Sequence, residues 1–403
     1  MAQTASNYVV NAKVESVTGT AATGGGSTGE RIRTLASPGL KLSRGQVRSA
    51  EKRNDMLMSM ARLGGKSVEG SYNAELSVGS FDTFLEALVR GTWVAADPAI
   101  TTDGGAAFTS IAITNQNTIT LTGTGSFLTE DFRVGDVIRL SNMSTAANDN
   151  VNGRIKTVSA TVIVVHGTPY TNQSSDAACT MTIAKKLAFP TTPTRRSFTI
   201  EQYLEDNDTS EQFVGCRVVS LSLAFQPNQM VTATFGFVGM DRTVLATGSS
   251  PYFTSPTEYT SINLVADDAS ITYNGAAIAT LTGWTLNFAI NAAGQAVLGS
   301  LVAPDIFDND MSVTGECSGT ITDFSDLTLF DAETEFEMSI MLVEPDAAAP
   351  VNFIHFFFPR VKIMDIAGAL GGDGPYIQTR SLEFGPKVAA SGYDAGVCTI
   401  STG

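Results

Sequence analysis

Several short motifs in the chain carry the residue types of catalytic or ligand-binding sites. Gly64-Gly65-Lys66-Ser67 ends like a phosphate-binding loop, in which backbone N–H groups cradle a phosphate and the lysine neutralises it. That loop needs a glycine where Met60 stands and a helix afterwards, whereas Val68 opens an alternating strand. The stretch therefore reads as a turn into a strand. Gly25-Gly26-Ser27-Thr28-Gly29 has the spacing of a nucleophile elbow, but it lies in low-complexity sequence with no buried strand before it. Asp305, Asp308 and Asp310 could face a cation, yet the glycine and glutamate of an EF-type loop are missing, so they read as a solvated inter-strand loop. His166 ends an apolar strand and His355 sits in an aromatic run, and neither has a Cys or Asp placed to complete a triad. Cys179, Cys216, Cys317 and Cys398 are widely spaced, with no Cys-x-x-Cys, and read as reduced thiols. Asn142, Asn172 and Asn207 stand in glycosylation triplets, which matter only in a secreted protein. No enzyme, cofactor or metal centre is expected from this set.

Composition points the same way. The 403 residues carry 40 acidic and 25 basic side chains, a formal charge of -15, and two histidines. Acid excess argues against a protein that grips nucleic acid by counterion release, though not against one that lets it pass. Charged residues are 16% of the chain, against about 25% in an average soluble protein. At 43% hydrophobic residues the chain can build a sizeable core. Roughly 150 residues per domain suggests two or three domains. The Met-Ala-Gln-Thr-Ala-Ser-Asn start lacks the basic and apolar regions of a secretory signal. The longest apolar run, around Val351 to Phe358, falls short of the ~18 residues of a membrane helix. No membrane association is expected; the chain is expected to be kept in the cytoplasm or assembled there into something larger.

The elements that would position any site are mostly strands. Residues 1–36, rich in Ala, Ser, Thr and Gly, read as a flexible arm with weak strand character at Tyr8 to Val17. Leu40 and Leu42 alternate with Lys41 and Ser43, and Val68, Tyr72, Leu76 and Val78 alternate with polar residues. Period two means one buried and one polar face. A long polar loop, Arg44 to Lys66, separates these strands, and the stretch from Ser80 to Gly91 reads as one short amphipathic helix.

The pattern then repeats. Lys66 to Gly70 resembles Met311 to Gly315; Gly39-Leu40-Lys41-Leu42 resembles Gly283-Trp284-Thr285-Leu286; the helix at Asp82 has a counterpart at Asp326 to Ala332. Ser197 to Ile200 resembles Glu337 to Ile340, Cys216-Arg217-Val218 resembles Pro359-Arg360-Val361, and closing strands end at Gly239 and Gly385. These matches, in one order, define two copies of one module. The first copy is interrupted by short strands spaced about ten residues apart, which suggest a small β-sandwich or barrel. The expected division is an arm at 1–36, a first module at 37–100 and 188–248, an inserted domain at 101–187, and a second module with a C-terminal tail at 249–403. The fold class is mainly β, with two tandem sandwich- or barrel-type modules that each carry one short α-helix, plus the insert.

Val47 to Arg53, Ser67 to Ser77 and Phe81 through Trp93 together resemble the tail tube (major tail) protein of long, non-contractile-tailed, siphovirus-type bacteriophages. Val231-Thr232-Ala233-Thr234-Phe235-Gly236-Phe237-Val238-Gly239 resembles the closing strand of that module, as does the Gly371 to Gly385 region in the second copy. The resemblance implies a virion structural protein whose sheets join around a lumen in stacked rings assembled in the host cytoplasm. Six modules per ring would mean a homotrimer with pseudo-six-fold symmetry; a homohexamer is the alternative. It also implies the tape-measure protein and double-stranded DNA in the lumen, and tail terminator and distal tail proteins at the ends. Another β-rich surface-layer, fibre or adhesion-type assembly protein is the alternative.

By period, the candidates for the lumen are Lys41, Glu69, Ser71, Asn73 and Glu75 in the first copy and Thr285, Asn287, Thr314, Glu316, Ser318 and Thr320 in the second. Acidic and hydroxyl groups there would let DNA slide without holding it. The loop carrying Arg44, Arg48, Glu51, Lys52, Arg53, Asp55, Met56, Met58 and Arg62 is the candidate contact to the next ring, where acidic loops would complement it.

Overall fold

The computed structural model describes residues 3–4, 6–24, 29–102, 107–321, 323–345, 350–368, 374–389 and 392–403. The chain runs through β1 (Tyr8–Val14), β2 (Glu30–Ile32), β3 (Gly39–Val47), β4 (Arg62–Glu75) and α1 (Asp82–Val89). The insertion follows: β5 (Asp97–Thr101), β6 (Ser110–Thr114), β7 (Thr118–Thr122), β8 (Val137–Ser141), β9 (Asn152–Val158), β10 (Val162–Val165), β11 (Gln173–Asp176) and β12 (Thr180–Ile183). β13 (Lys185–Ala188) leads back to β14 (Phe198–Leu204), β15 (Thr209–Phe225), β16 (Thr232–Gly239) and β17 (Asp241–Leu245). The second copy is β18 (Ala269–Tyr273), β19 (Ala276–Ala277), β20 (Leu281–Gly294), β21 (Ile306–Thr320), α2 (Ser325–Asp331), β22 (Phe336–Val343), β23 (Phe353–Gly368), β24 (Ile377–Phe384) and β25 (Thr399–Thr402).

The duplication extends to irregularities. Each copy has a bulge in its first long hairpin, at Arg44/Gln46 between β3 and β4 and at Ile290/Ala292 between β20 and β21. A second pair of bulges lies at Phe198/Ile200 and Phe336/Met338, and a third at Val218/Ser220 and Ile363/Asp365. A bulge adds one residue and a local bend. Three bulges at matching places fix the alignment residue by residue: Val68 with Val313, Leu42 with Phe288, Ser220 with Asp365. The register locates the β3, β14 and β15 counterparts two residues from the positions expected from sequence: Leu40 matches Leu286 and not Trp284, Phe198 matches Phe336 and not Met338, and Cys216 matches Val361 and not Pro359.

The expected flexible arm is corrected over its described part. β1 pairs antiparallel with β14 along its whole length and with β2, and Val10 and Ala12 are buried. β18 pairs with β22 and β19 in the same way. The weak strand character read from Tyr8 to Val17 is thus a fully paired strand over Tyr8–Val14. The insertion also begins earlier than expected, because Asp97 to Thr101 pairs with β12, and it ends at Ile183 because β13 leaves to pair with β25. It has its own core around Ile111, Phe127, Phe132, Ile155 and Ile163. Although it interrupts the first copy, it docks on the second: Arg154 Nη1 donates to the Ser270 carbonyl at 2.9 Å, and Val137 packs with Met341 and Phe353.

One core runs through both copies. α1 covers it with Phe84, Leu85 and Leu88, and the Phe84 ring meets Phe198, Phe235 and Phe237 at centroid distances of 5.1 to 5.4 Å.

Candidate functional site: the polar face and open edges of the central sheet

β15 joins the two copies. It pairs with β16 on one side, and its Ser220 to Phe225 pair antiparallel with Ala289 to Trp284 of β20 on the other. The result is a run of eight strands in the order β3, β4, β16, β15, β20, β21, β24, β23, four from each copy. Its inner face is apolar: Leu40, Val68, Tyr72, Phe235, Leu221, Leu223, Leu286, Phe288, Val313 and Leu382 are all buried.

The eleven residues singled out by period all lie on the opposite face of this sheet, and none is buried. Lys41 stands opposite Glu69, with Nζ 3.4 Å from Oε1. Asn73 stands opposite Thr234, whose hydroxyl donates to it at 3.0 Å. Glu75 takes a hydrogen bond from the Asn263 amide, and Ser71 lies opposite Gly236. Thr285 faces Glu316 and Asn287 faces Thr314 across β20 and β21, and the Ser222 hydroxyl donates to Asn287 at 2.7 Å. Ser318 exchanges a hydrogen bond of 2.9 Å with Thr379, and Thr320 stands opposite Ile377.

Other residues complete the face: Ser220, Ser222, Thr232 and Thr234 in the first copy, and Lys362, Asp365, Thr379, Ser381 and Glu383 in the second. Their strands alternate as clearly as β4 does, so period two, applied to β15, β16 and β24, would have found them. Asn73, Thr234, Ser222, Asn287, Thr314, Glu383 and Lys362 form one transverse row across seven strands. The charged members are Glu69, Glu75, Glu316, Glu383 and Asp365 against Lys41 and Lys362, and Lys362 is occupied by Glu333 at 2.5 Å. The face is therefore hydroxyl- and amide-rich with an acidic excess.

Both ends of the sheet are open. Among the described residues β3 pairs only with β4, and residues 362–368 of β23 pair only with β24. Unpaired strand edges are sites for another strand. The sequence profile described as phage tail tube protein matches residues 6–386 of the chain.

The chain belongs to the phage tail tube protein family.

The family is one of structural components of the virion tail, not of enzymes, and its name implies self-assembly into a tube. No curated protein matches the chain.

In this tail tube protein the loop between β3 and β4 is a projecting hairpin. Arg48, Glu51, Lys52, Arg53, Asp55, Met56, Met58 and Arg62 are exposed on it, with Met56 at 96%. Arg53 and Asp55 pair at 2.6 Å, which raises the guanidinium pKa and lowers that of the carboxyl. Arg44, at its base, hydrogen-bonds the Gly64 carbonyl at 3.2 Å. The second copy projects a shorter arm at 295–305 with Leu298 fully exposed, and this arm touches β4 of the first copy where the Lys66 amide donates to the Leu301 carbonyl at 2.7 Å.

The motifs with catalytic residue types take structural places. Gly64 to Ser67 lies within β4, already in strand and not in a turn, and Lys66 pairs with Asp241 at 2.7 Å. Asp305 and Asp308 do not form a solvated loop; they hold the buried Arg217 guanidinium at 2.8 and 3.2 Å and so tie the copies together. The Gly25 to Gly29 motif lies largely outside the described residues. Both histidines sit where the insertion meets the second copy. Burial, then Arg154 and Lys156, lowers the His166 pKa to about 4, and burial pushes His355 well below its usual value. The four cysteines are buried and free.

Proposed function

We propose that three chains close into a ring of pseudo-six-fold symmetry, with the eight-stranded sheets joined end to end and their polar faces turned to a lumen. Rings stack into the tail tube of a siphovirus-type phage, assembled in the host cytoplasm. The acidic, hydroxyl-rich face then surrounds the tape-measure protein during assembly and lets double-stranded DNA pass without gripping it. Tail terminator and distal tail proteins would close the two ends. A homohexamer would bring twelve modules to one ring, twice what a six-fold module arrangement uses.

The observation that carries this reading is the β15–β20 joint. Within one chain, the end strand of the first copy already pairs with the first strand of the second. Repeating that joint head to tail removes every open edge, as closing a barrel does. The projecting arm at 48–61 would reach the adjacent ring. Negative-stain microscopy of concentrated protein tests the reading: hollow tubes are expected, and a monodisperse monomer that never polymerises would overturn it.

A further inference from the structure

The chain contains its own template for the contact between neighbouring chains, down to the register. We propose that β23 of one chain pairs antiparallel with β3 of the next copy, with Asp365 opposite Ser43, Ile366 opposite Leu42, Ala367 opposite Lys41 and Gly368 opposite Leu40. The proposal rests on the ring reading and specifies its seam.

The register follows from the bulge-locked alignment. Inside the chain, Ser220, Leu221, Ser222 and Leu223 of β15 face Ala289, Phe288, Asn287 and Leu286 of β20. Ser220 stands opposite Gly236 just past a bulge, as Asp365 stands opposite Ser381 just past the matching one, so β15 maps onto β23. Ala289 stands opposite Ser312, as Ser43 stands opposite Ser67, so β20 maps onto β3. Substituting one pair of strands for the other gives the four pairings.

Burial supplies an independent reason for a second copy as the occupant. Leu221 and Phe288, paired across the internal joint, are each 1% exposed. Their counterparts, Ile366 and Leu42, are apolar and pack against the core, yet each is only partly buried. Pairing the two edges would bury these two side chains against each other, as the internal joint does. Charge agrees: the pairing sets Asp365 diagonally across from Lys41 on the polar face, within reach of a long side chain. One existing contact must give way or be shared, because Gln202 Nε2 donates to the Leu40 carbonyl at 3.3 Å.

The test uses the full chain and disulfide capture. The native cysteines are all buried, so they leave little background. Lys41→Cys with Ala367→Cys should, on mild oxidation of assembled tubes, give covalent dimers and trimers in denaturing gels. Ser43→Cys with Ala367→Cys, two residues out of register, should give several-fold less. Equal or greater capture by the out-of-register pair, or tubes with no capture by the first pair, overturns the register. Wild-type protein that forms no tubes at all overturns the ring reading instead. Should the double variants fail to assemble, hydrogen exchange on wild-type tubes against free subunits decides. New amide protection in residues 40–43 and 365–368 supports the seam, and unchanged exchange there overturns it.

Discussion

The two copies share a sheet with three matching bulges and differ in what covers it. α1 in the first copy buries Phe84, Leu85, Ala87, Leu88 and Val89, whereas α2 in the second buries none of its residues, and the adjoining Phe324 is 66% exposed. The first copy also has extra partners for the polar side of its helix, on the stretch that follows the insertion: Lys185 of β13 pairs with Asp82 and stacks over the Trp93 ring at 4.6 Å, while Arg196 pairs with Glu86 at 3.4 Å. The second copy has no insertion at that point, and its helix keeps an exposed apolar side. Strand pairing and bulges are thus the invariant of the module, and the helix is an adjustable cover. An 87-residue segment (97–183) enters the first copy and leaves the strand pairing of its sheet like that of the second.

The contrast can be broken at several points. The largest effect is expected on the projecting arms. Deleting Asp55 to Arg62 from the first-copy arm should leave soluble rings that do not stack, whereas shortening the 295–305 arm should still allow stacking; normal long tubes from the first deletion would contradict the role of that arm. Next come the two helices. Phe84→Ala should cost about 3–5 kcal/mol in denaturant unfolding, the usual loss for a buried aromatic, and Leu329→Ala, half-buried on α2, about 1 kcal/mol. Equal losses would mean that α2 carries as much of the core as α1.

A glycine pair sharpens the comparison of the sheets. Gly70 and Gly315 are equivalent, but a Cβ on Gly70 would lie 2.0 Å from the Gly39 carbonyl, against 3.0 Å from Thr285 for Gly315. Gly70→Ala is expected to destabilise by about 1–3 kcal/mol, as overpacking does, with a clearly smaller loss for Gly315→Ala.

A last effect concerns pH. His166 titrates near 4 when folded and at 6.5 when unfolded. Its folded pKa is lowered, so the unfolded chain takes up the proton first. The stability it contributes is present above about pH 6.5 and is lost as pH falls toward 4. Denaturant midpoints at pH 5 and 7.5 should differ in the wild type and differ less in His166→Gln, since His166 sits only at the junction with the second copy.

Much of this was legible in the sequence because a half-polar strand writes its faces in period two. The eleven residues picked by period share one unburied face of the sheet, although the β3 counterpart read from sequence is two residues out of register. A slip of two residues preserves the face, so burial pattern alone cannot detect it. Only the bulges, which break the period, reveal the register. β1 shows in the sequence only as weak strand character from Tyr8 to Val17, because its Tyr and Val residues stand in an Ala-, Ser-, Thr- and Gly-rich arm; its place is set by β14 and by the buried Glu201, whose Oε2 accepts from the Asn11 amide at 3.3 Å. The pairing of Arg217 with Asp305 and Asp308 joins residues about ninety positions apart, and no local pattern encodes that. The docking of the insertion on the copy it does not interrupt is likewise a long-range fact.

Electron cryo-microscopy of assembled tubes tests the central claim most directly. The account predicts three chains per ring, with each chain's eight strands continuing into its neighbour's and the row from Asn73 to Lys362 facing the lumen. Six chains per ring, or a lumen lined by the other face or by the insertion, would contradict it.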